Sequence, residues 1–343
     1  MNDLPTHTPG GGPTGLNDRI GVAVVGVGYW GRKLVEEYLL LSKRRSDVEL
    51  VAVADVSKER LMRISSEFGL PTSMLYADHH ELLGDDRVDA VHIATPNETH
   101  FRIARDFLEA GKHVLLEKPM ATSSREAFKL ARMAEELDLV LLVGHIFRFN
   151  NALKKARNLI EEGAIGEPYY VELRWTARLE PLPKRDVIFD LAPHPIDIVN
   201  YLLDEWPSLV SAMAKSYVRR TAGLEEVAFI SSELPDDIMA HISLSWLSTG
   251  PKIRNVQVVG SGGLIDVDAL SQSLTLYRVG ECEKIEVRPN NTIESMISHF
   301  VDRIINGDPP CNSALIGAIT VSVLEAIRES ARLNGQPVKT RVW

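Results

Sequence analysis

Between residues 20 and 144 the chain repeats one unit, a short apolar run followed by a turn and a longer segment whose apolar positions recur at helical spacing. The runs are IGVAVV (20–25), VELVAVAD (48–55), DAVHIA (89–94), HVLLE (113–117) and LVLLVG (139–144). Near-continuous apolarity is what a strand covered on both faces requires, so these predict a parallel sheet. Segments such as REAFKLARMAEELD (125–138), with Phe128, Ala131 and Met133 or Ala134 in helical phase, predict the covering helices. A doubly wound sheet follows.

After residue 150 the period becomes two. In YYVELRWTARL (169–179) and IMAHISLSWL (238–247) apolar and mostly polar residues alternate, which describes antiparallel strands with one covered face. Further strands are predicted at 209–218, 225–233, 253–260, 263–268, 273–279 and 284–288, and helices at 292–306 and 313–334. The expected fold class is α/β: an amino-terminal Rossmann domain over 20–145, then an α+β domain over 146–330 with an open, mainly antiparallel sheet. Residues 331–343 are expected to return to the Rossmann domain, and the Pro/Gly-rich residues 1–19 to form a disordered arm.

Composition narrows the function classes. A net charge of -9 argues against general adhesion to nucleic acid or to an anionic membrane. Cys282 and Cys311, with no CxxC spacing, indicate neither a disulfide framework nor a cysteine zinc site and fit a reducing cytoplasm. No metal is expected. Asp78, His79 and His80 suit a polar loop, and His92 and His113 suit a hydrogen-bonded core.

The chemistry begins at VVGVGYWG (24–31), where Gly26, Gly28 and Gly31 directly follow a strand and open a helix. That context is the dinucleotide fingerprint: a tight turn, a close approach to pyrophosphate, and close packing of helix on strand. Tyr29 and Trp30, inside the same turn, are placed against the cofactor. GSGG (260–263) is equally rich in glycine but joins two period-two strands, and so predicts a hairpin. Asp55 ends the second strand, where a carboxylate accepts ribose hydroxyls and repels a 2′-phosphate; NAD is expected over NADP. Lys58 and Arg60 nearby are expected to sit on a solvated helical turn.

Ligands of such a sheet lie beyond the carboxyl ends of its strands. Two strand-end loops stand there: ATPNETH (94–100), with Thr95, Asn97 and His100, and LLEKPM (115–120), with Glu117 and Lys118. In FDLAPHPIDIVNYL (189–202) Asp190 and His194 are four apart near a helix start marked by Pro193 and Pro195. A helix amino terminus disfavours imidazolium and a carboxylate favours it, so His194 is expected to titrate near neutrality as an acid/base. His145 and Arg148 follow the 139–144 run and are expected at the substrate or the domain junction, and Asn150 is expected at the substrate. Arg174, Arg178, Lys184 and Arg185 form a basic cluster in an acidic chain, with Arg174 and Arg178 on one strand face, where a sugar-nucleotide diphosphate would suit them.

GVGYWG, ADVSKER, ATPNETH, GKHVLLEKPMA (111–121) and DLAPHPID (190–197) together resemble the glucose-fructose oxidoreductase and inositol dehydrogenase family, Gfo/Idh/MocA. The resemblance covers nearly the whole chain after residue 19. VGHIFRFNNALKKARNLIEEGAIGEPYYVE (143–172) and RDVIFDLAPHPIDI are more similar to the branch holding UDP-N-acetylglucosamine 3-dehydrogenases. The resemblance implies a Rossmann domain followed by an open sheet, often assembled into dimers or tetramers through those sheets. It also implies that Lys118 reaches the reacting hydroxyl, His194 serves as acid/base, and Asp190 orients it or the substrate. Ala192 stands where family members often carry Gly, and Asn151 where they often carry Pro. The expected function is NAD-dependent hydride transfer with a sugar or nucleotide-sugar alcohol. An inositol or free-sugar dehydrogenase, and a non-catalytic dinucleotide sensor, are the alternatives.

Overall fold

The computed structural model of the chain describes residues 19–180 and 185–341. The expected amino-terminal arm, through residue 18, and Lys184 lie outside the described residues.

The first half alternates strand and helix: β1 (Ile20–Val25), α1 (Tyr29–Ser42), β2 (Val48–Ala54), α2 (Lys58–Phe68), β3 (Leu75–Tyr76), β4 (Ala90–Ile93), α3 (Asn97–Glu109), β5 (His113–Leu116), α4 (Ser124–Glu136) and β6 (Leu141–Val143). These strands form a six-stranded parallel sheet in the order β3-β2-β1-β4-β5-β6. Chain order reverses between β1 and β4, the point at which a doubly wound sheet opens a crevice for its ligand. Most of β1 and β4 is fully excluded from solvent, as their unbroken apolar runs require.

The second half comprises α5 (Asn151–Glu161), β7 (Pro168–Thr176), α6 (Val187–Leu191), α7 (Pro193–Leu203), β8 (Leu209–Lys215), β9 (Val227–Glu233), β10 (Met239–Ser245), β11 (Ile253–Gly260), β12 (Gly263–Asp268), β13 (Ser273–Arg278), β14 (Glu281–Ile285), α8 (Thr292–Asn306), α9 (Ala314–Arg332) and β15 (Val338–Lys339). Its nine strands run β14-β13-β12-β11-β7-β10-β9-β8-β15, antiparallel except for the central β7 and β10. The alternation read along β7 and β10 is the pleat itself: Val171, Leu173, Trp175, Ala240, Ile242 and Leu244 face a common core with α5 and α7. Gly260 pairs with Gly263 across the expected hairpin.

Packing redraws the domain boundaries expected from sequence. Helix α8 belongs to the first domain, where Met296, Ile297, Phe300 and Val301 pack with Val22, Leu34 and Tyr38. Helix α9 belongs to both, with Ala318 and Val321 in one core and Val323, Leu324 and Ile327 in the other. An apolar stripe declares that a helix needs cover but not from which part of the chain. The carboxyl-terminal segment adds β15 to the edge of β8, and Arg341 beyond it lines a surface groove with Ser124 and Arg125 of α4. Strand β14 begins three residues earlier than expected, because Gly280 at φ +80° closes a two-residue hairpin that pairs Arg278 with Glu281. Among the described residues no helix is long and apolar enough to cross a membrane.

Candidate active site

The glycine-rich turn divides its labour as the fingerprint requires. Gly26 holds φ +91°, and a Cβ there would meet the Ala94 backbone at 2.8 Å. A Cβ on Gly31 would come within 1.7 Å of the Gly26 carbonyl oxygen, so helix and turn touch only because it is absent. At Gly28 a Cβ would meet nothing within 4 Å; this glycine leaves space outward rather than packing inward. Ser57, Ser123, Asn150, Asn291 and Ser313 cap α2, α4, α5, α8 and α9, whereas α1 starts with no side-chain cap and no acid in its first turn. Its free N–H groups and open Gly28 fit a pyrophosphate. Asp55 is fixed at the end of β2 by the N–H groups of Val27 (2.9 Å) and Ser57 (2.8 Å), one to each oxygen, and retains acceptor capacity for a ribose. Arg60 lies 3.7 Å from the same carboxylate.

Beside this turn, at the carboxyl ends of β4, β5 and β6, lies a cavity of about 440 Å³. Tyr29, Trp30, Thr95, Asn97, Glu117 and Lys118 line it from the first domain; Asp190 and His194 line it from the second. Lys118 reaches across the junction, its Nζ donating to the Asp190 carbonyl oxygen at 2.9 Å and lying 3.9 Å from the carboxylate. Arg185 approaches that carboxylate from the other side at 3.6 Å. Beneath them, Trp30 Nε1 donates to Glu117 Oε1 at 2.6 Å and His92 Nε2 lies 3.4 Å from the same oxygen. Burial pushes the Glu117 carboxyl up, but His92, Trp30 and Lys118 together outweigh it and hold the group below its ordinary value.

His194 differs from expectation in its electrostatics. Burial first, then the charges of Lys118, His145, Arg254 and Lys252, hold its imidazole well below the ordinary value. Asp190 does not offset this, because its carboxylate is turned to Lys118 and Arg185. The ring packs edge-on against Phe147, centroids 5.0 Å apart, and presents a neutral imidazole to the cavity at pH 7.

Several expected ligand contacts are used within the protein instead. His100 lines the cavity, but its ring nitrogens face the carbonyls of Pro119 and Thr95, each at 2.9 Å, stapling the two strand-end loops together. Arg148 is buried, with Nε on Asp197 (2.7 Å), Nη2 on Asn200 (2.6 Å) and Nη1 on the Cys311 carbonyl (3.0 Å); it ties the exit of β6 to α7 and does not line the cavity. Asn150 caps α5 and donates to Ala269 O at 3.0 Å. Asn151 uses its backbone N–H, which a proline would lack, to reach Gln272 (3.1 Å) and Asn290 (3.2 Å). Arg174 occupies the exposed phase of β7, opposite Trp175 and the cavity, and Arg178 stands exposed beside Leu247. For Arg174 the strand face is the outer one, while Arg178 lies past the end of β7, next to Leu179 and Glu180 of the cavity wall.

Sequence reading missed Trp246, which lines the cavity from the end of β10, and Lys252 and Arg254 at the start of β11. The signal for Arg254 was available: it falls on the apolar phase shared with Val256 and Val258. His92 and His113 are hydrogen-bonded within the core, to Tyr38 (3.3 Å) and to Val140 N (3.0 Å). Among the described residues only Asp78, His79 and His80 converge as a metal site would, and Asp78 there caps a short helical turn while His79 leans on Asp106 at 3.3 Å.

Residues 20–145 match the family described as an oxidoreductase family with an NAD-binding Rossmann fold, and residues 153–266 match the GFO/IDH/MocA C-terminal domain. The UDP-N-acetylglucosamine 3-dehydrogenase of Acidithiobacillus ferrooxidans is 31% identical over 75% of this chain and 76% of its own length. The myo-inositol 2-dehydrogenase of Thermotoga maritima is 24% identical over 90% of this chain and 95% of its own. A solved structure of the Acidithiobacillus ferrooxidans enzyme superposes with a TM-score of 0.82 at 26% identity, covering 93% of this chain and 99% of that one. With both domains matched and the glycine turn, crevice and second sheet disposed as described, the chain belongs to the Gfo/Idh/MocA family of oxidoreductases, as an enzyme of the dehydrogenase type.

Proposed function

We propose that, within the sugar and polyol oxidoreductases of its family, this chain is an NAD-dependent dehydrogenase of a nucleotide sugar, oxidising a secondary alcohol such as the C3 hydroxyl of UDP-N-acetylglucosamine. The observation that carries the reading is the convergence of Lys118, Asp190 and His194, from two domains, on one cavity beside the glycine turn. A dinucleotide sensor without turnover has no need of all three.

The nicotinamide, when bound, supplies the hydride acceptor. His194 receives the hydroxyl proton: a neutral imidazole, kept so by burial and neighbouring cations, is the form that accepts one. Lys118 places an ammonium beside the alcohol oxygen and stabilises the negative charge that develops as the proton leaves. Asp190 is a positioning residue for Lys118, holding it through carbonyl and carboxylate, rather than a steering partner of His194. In reverse the same groups reduce a ketone.

Asp55 supports NAD over NADP, since a 2′-phosphate would lie against its carboxylate. Self-association is proposed through the outer face of the nine-stranded sheet, where Met239, Tyr170, Val259, Leu264 and Tyr277 form one continuous row across five strands. Met239, Tyr170 and Tyr277 are 59%, 42% and 41% exposed, an apolar patch that a monomer rarely leaves bare. Cys282 and Cys311 are both free, in keeping with the cytoplasm as the proposed location. The test is a screen by NADH absorbance of UDP-N-acetylglucosamine, other sugar nucleotides, inositols and free sugars, each with NAD and NADP. Preference for a free sugar or inositol would overturn the nucleotide-sugar assignment, and no turnover with any of them would favour the sensor.

A further inference from the structure

Arg254 is a charged residue in an apolar position. It lies on the covered phase of β11, with Val256 and Val258 following on the same face, and is 6% exposed. Its guanidinium carbon stands 5.3 Å from the centre of the Trp175 ring. Its hydrogen bonds run from one nitrogen, Nη1, to two backbone carbonyls, Ile253 O at 2.7 Å and Thr176 O at 3.3 Å. Other deeply placed arginines meet a carboxylate: Arg148 meets Asp197 at 2.7 Å, and Arg219 meets Glu226 at 3.0 Å. Among the described residues no carboxylate lies within ion-pair distance of Arg254. A guanidinium taken out of water without a counter-ion is costly, and its remaining donors form a fork suited to a planar or tetrahedral anion.

Its location says where that anion would come from. Ring contacts of 5.1 Å (Trp175 to Phe147) and 5.0 Å (Phe147 to His194) lead from Arg254 to the imidazole. The charge of Arg254 acts on His194, and that of Asp190 acts back on Arg254, so both cavity residues are within electrostatic reach. Lys252, two residues earlier and exposed, stands within similar reach of Tyr29 at the cavity wall. Lys118 and Arg185 already share Asp190. Lys252 and Arg254 thus stand behind the second-domain wall of the cavity, and among the described residues neither meets a carboxylate; Arg254 is the deeper of the two.

We propose that Arg254, approached past Lys252, receives an anionic group carried by the substrate close to the ring that is oxidised: a phosphate or a carboxylate attached to the sugar itself. This rests on the dehydrogenase reading above and deepens it, moving anion recognition from Arg174 and Arg178 to β11. The two sources of negative charge are told apart by matched pairs: N-acetylglucosamine 1-phosphate against N-acetylglucosamine, and glucuronate against glucose.

Binding is measured by isothermal titration into the NAD-loaded full chain, which requires no turnover, for the wild type, Arg254→Met and Arg254→Lys. NAD affinity and melting temperature are recorded for each as a check on folding. The anionic member of at least one pair should bind more tightly in the wild type. Arg254→Met should cut that preference roughly tenfold to a hundredfold, the loss expected of one hydrogen bond to a charged group, and Arg254→Lys should restore part of it. A structural lesion would weaken both members of the pair alike and leave their ratio unchanged, which overturns the proposal. So does a wild type indifferent to both anions. Should Arg254→Met fail to fold, inorganic phosphate must compete with the preferred anion in the wild type and compete less well in Arg254→Lys; equal competition in the two overturns it. A chain that oxidises no sugar yet shows the Arg254-dependent preference defeats the dehydrogenase reading and leaves this one standing.

Discussion

In a Lys118→Ala variant, the ammonium that donates to the Asp190 carbonyl at 2.9 Å and stands 3.9 Å from its carboxylate is gone. At an effective dielectric near 20, a charge pair at that separation has about 4 kcal/mol of bare Coulomb attraction, much of it offset by desolvation. Arg185, at 3.6 Å from the same carboxylate, retains an attraction of about the same size, so Asp190 is left compensated. The stability loss should therefore be about 1 kcal/mol, a fall in Tm of about 2–4 °C. Chemistry has no such substitute. Removing the donor aimed at a developing oxyanion costs roughly a hundredfold to a thousandfold in kcat.

A second signature belongs to His194. Lys118 is the largest charge holding its imidazole down after burial, so removing it lets the pKa rise toward the ordinary value. The acid limb of the pH profile for alcohol oxidation, set by protonation of His194, should move to higher pH. The assays are NADH absorbance across pH, NAD binding by tryptophan fluorescence, and thermal melting. A variant that keeps kcat within tenfold of the wild type, or that loses NAD binding and fold together with activity, refutes the role assigned to Lys118.

Gly28→Ala should melt like the wild type but raise KM for NAD, because its Cβ meets no protein atom and faces the space proposed for pyrophosphate. Gly31→Ala should instead lose about 1–3 kcal/mol of stability from contact with the Gly26 carbonyl; equal behaviour of the two would sink the division of labour in the turn. Asp55→Asn keeps an acceptor for Val27 or Ser57 while removing the charge, and should lower the NAD to NADP ratio of kcat/KM by about tenfold. Steady-state kinetics with both coenzymes checks this, an unchanged ratio counting against Asp55 as the selector. Burial is the first cause that lowers the pKa of His100, His113, His145, His194 and His299. Between those depressed values and about 6.5 the unfolded chain binds more protons, so stability is full above that pH and falls below it by about 1.4 kcal/mol per pH unit for each histidine in its window. Melting at pH 7.5 and 5.5 reads this directly, and an equal or higher Tm at the lower pH contradicts it.

Local signals made the first domain legible. Apolar runs named the strands, and a glycine turn between strand and helix named the cofactor site, because each depends on residues adjacent in sequence. What failed to read was placement across the chain. Asn150 looked like a substrate ligand because it follows a sheet-edge strand, yet it caps α5, and of the two roles open to Arg148 the contact with buried Asp197 is the junction one. Arg174 and Arg178 looked like an anion site because they cluster, but period-two alternation distinguishes two faces without saying which is covered. The better indicator was the misfit: Arg254 breaks an apolar phase, and a charge placed where a strand wants valine needs a reason.

The same long-range packing sets the geometry on which the proposed catalysis depends. Lys118 belongs to the first domain and His194 to the second, so their separation is fixed by the junction rather than by either core. Three connections hold it. Helix α9 contributes side chains to both cores and cannot tilt without opening one of them. Arg148 binds Asp197, one turn beyond His194 on α7, from the end of β6. Arg328 on α9 binds Asp186 at 2.8 Å, and Asp186 caps the helix that carries Asp190 through the Phe189 N–H at 2.8 Å. The last two are buried or half-buried polar links inside an apolar junction, the kind of contact whose loss leaves an uncompensated group behind. Removing Arg148 would strand the Asp197 carboxylate 3.7 Å from the His145 imidazole, and the charge of His145 is in turn one of those that hold His194 down. A misplacement of about 1 Å can cost a reaction roughly a hundredfold in rate. Two-domain construction gives this cavity its two sets of walls, and the buried links across the junction give it that precision.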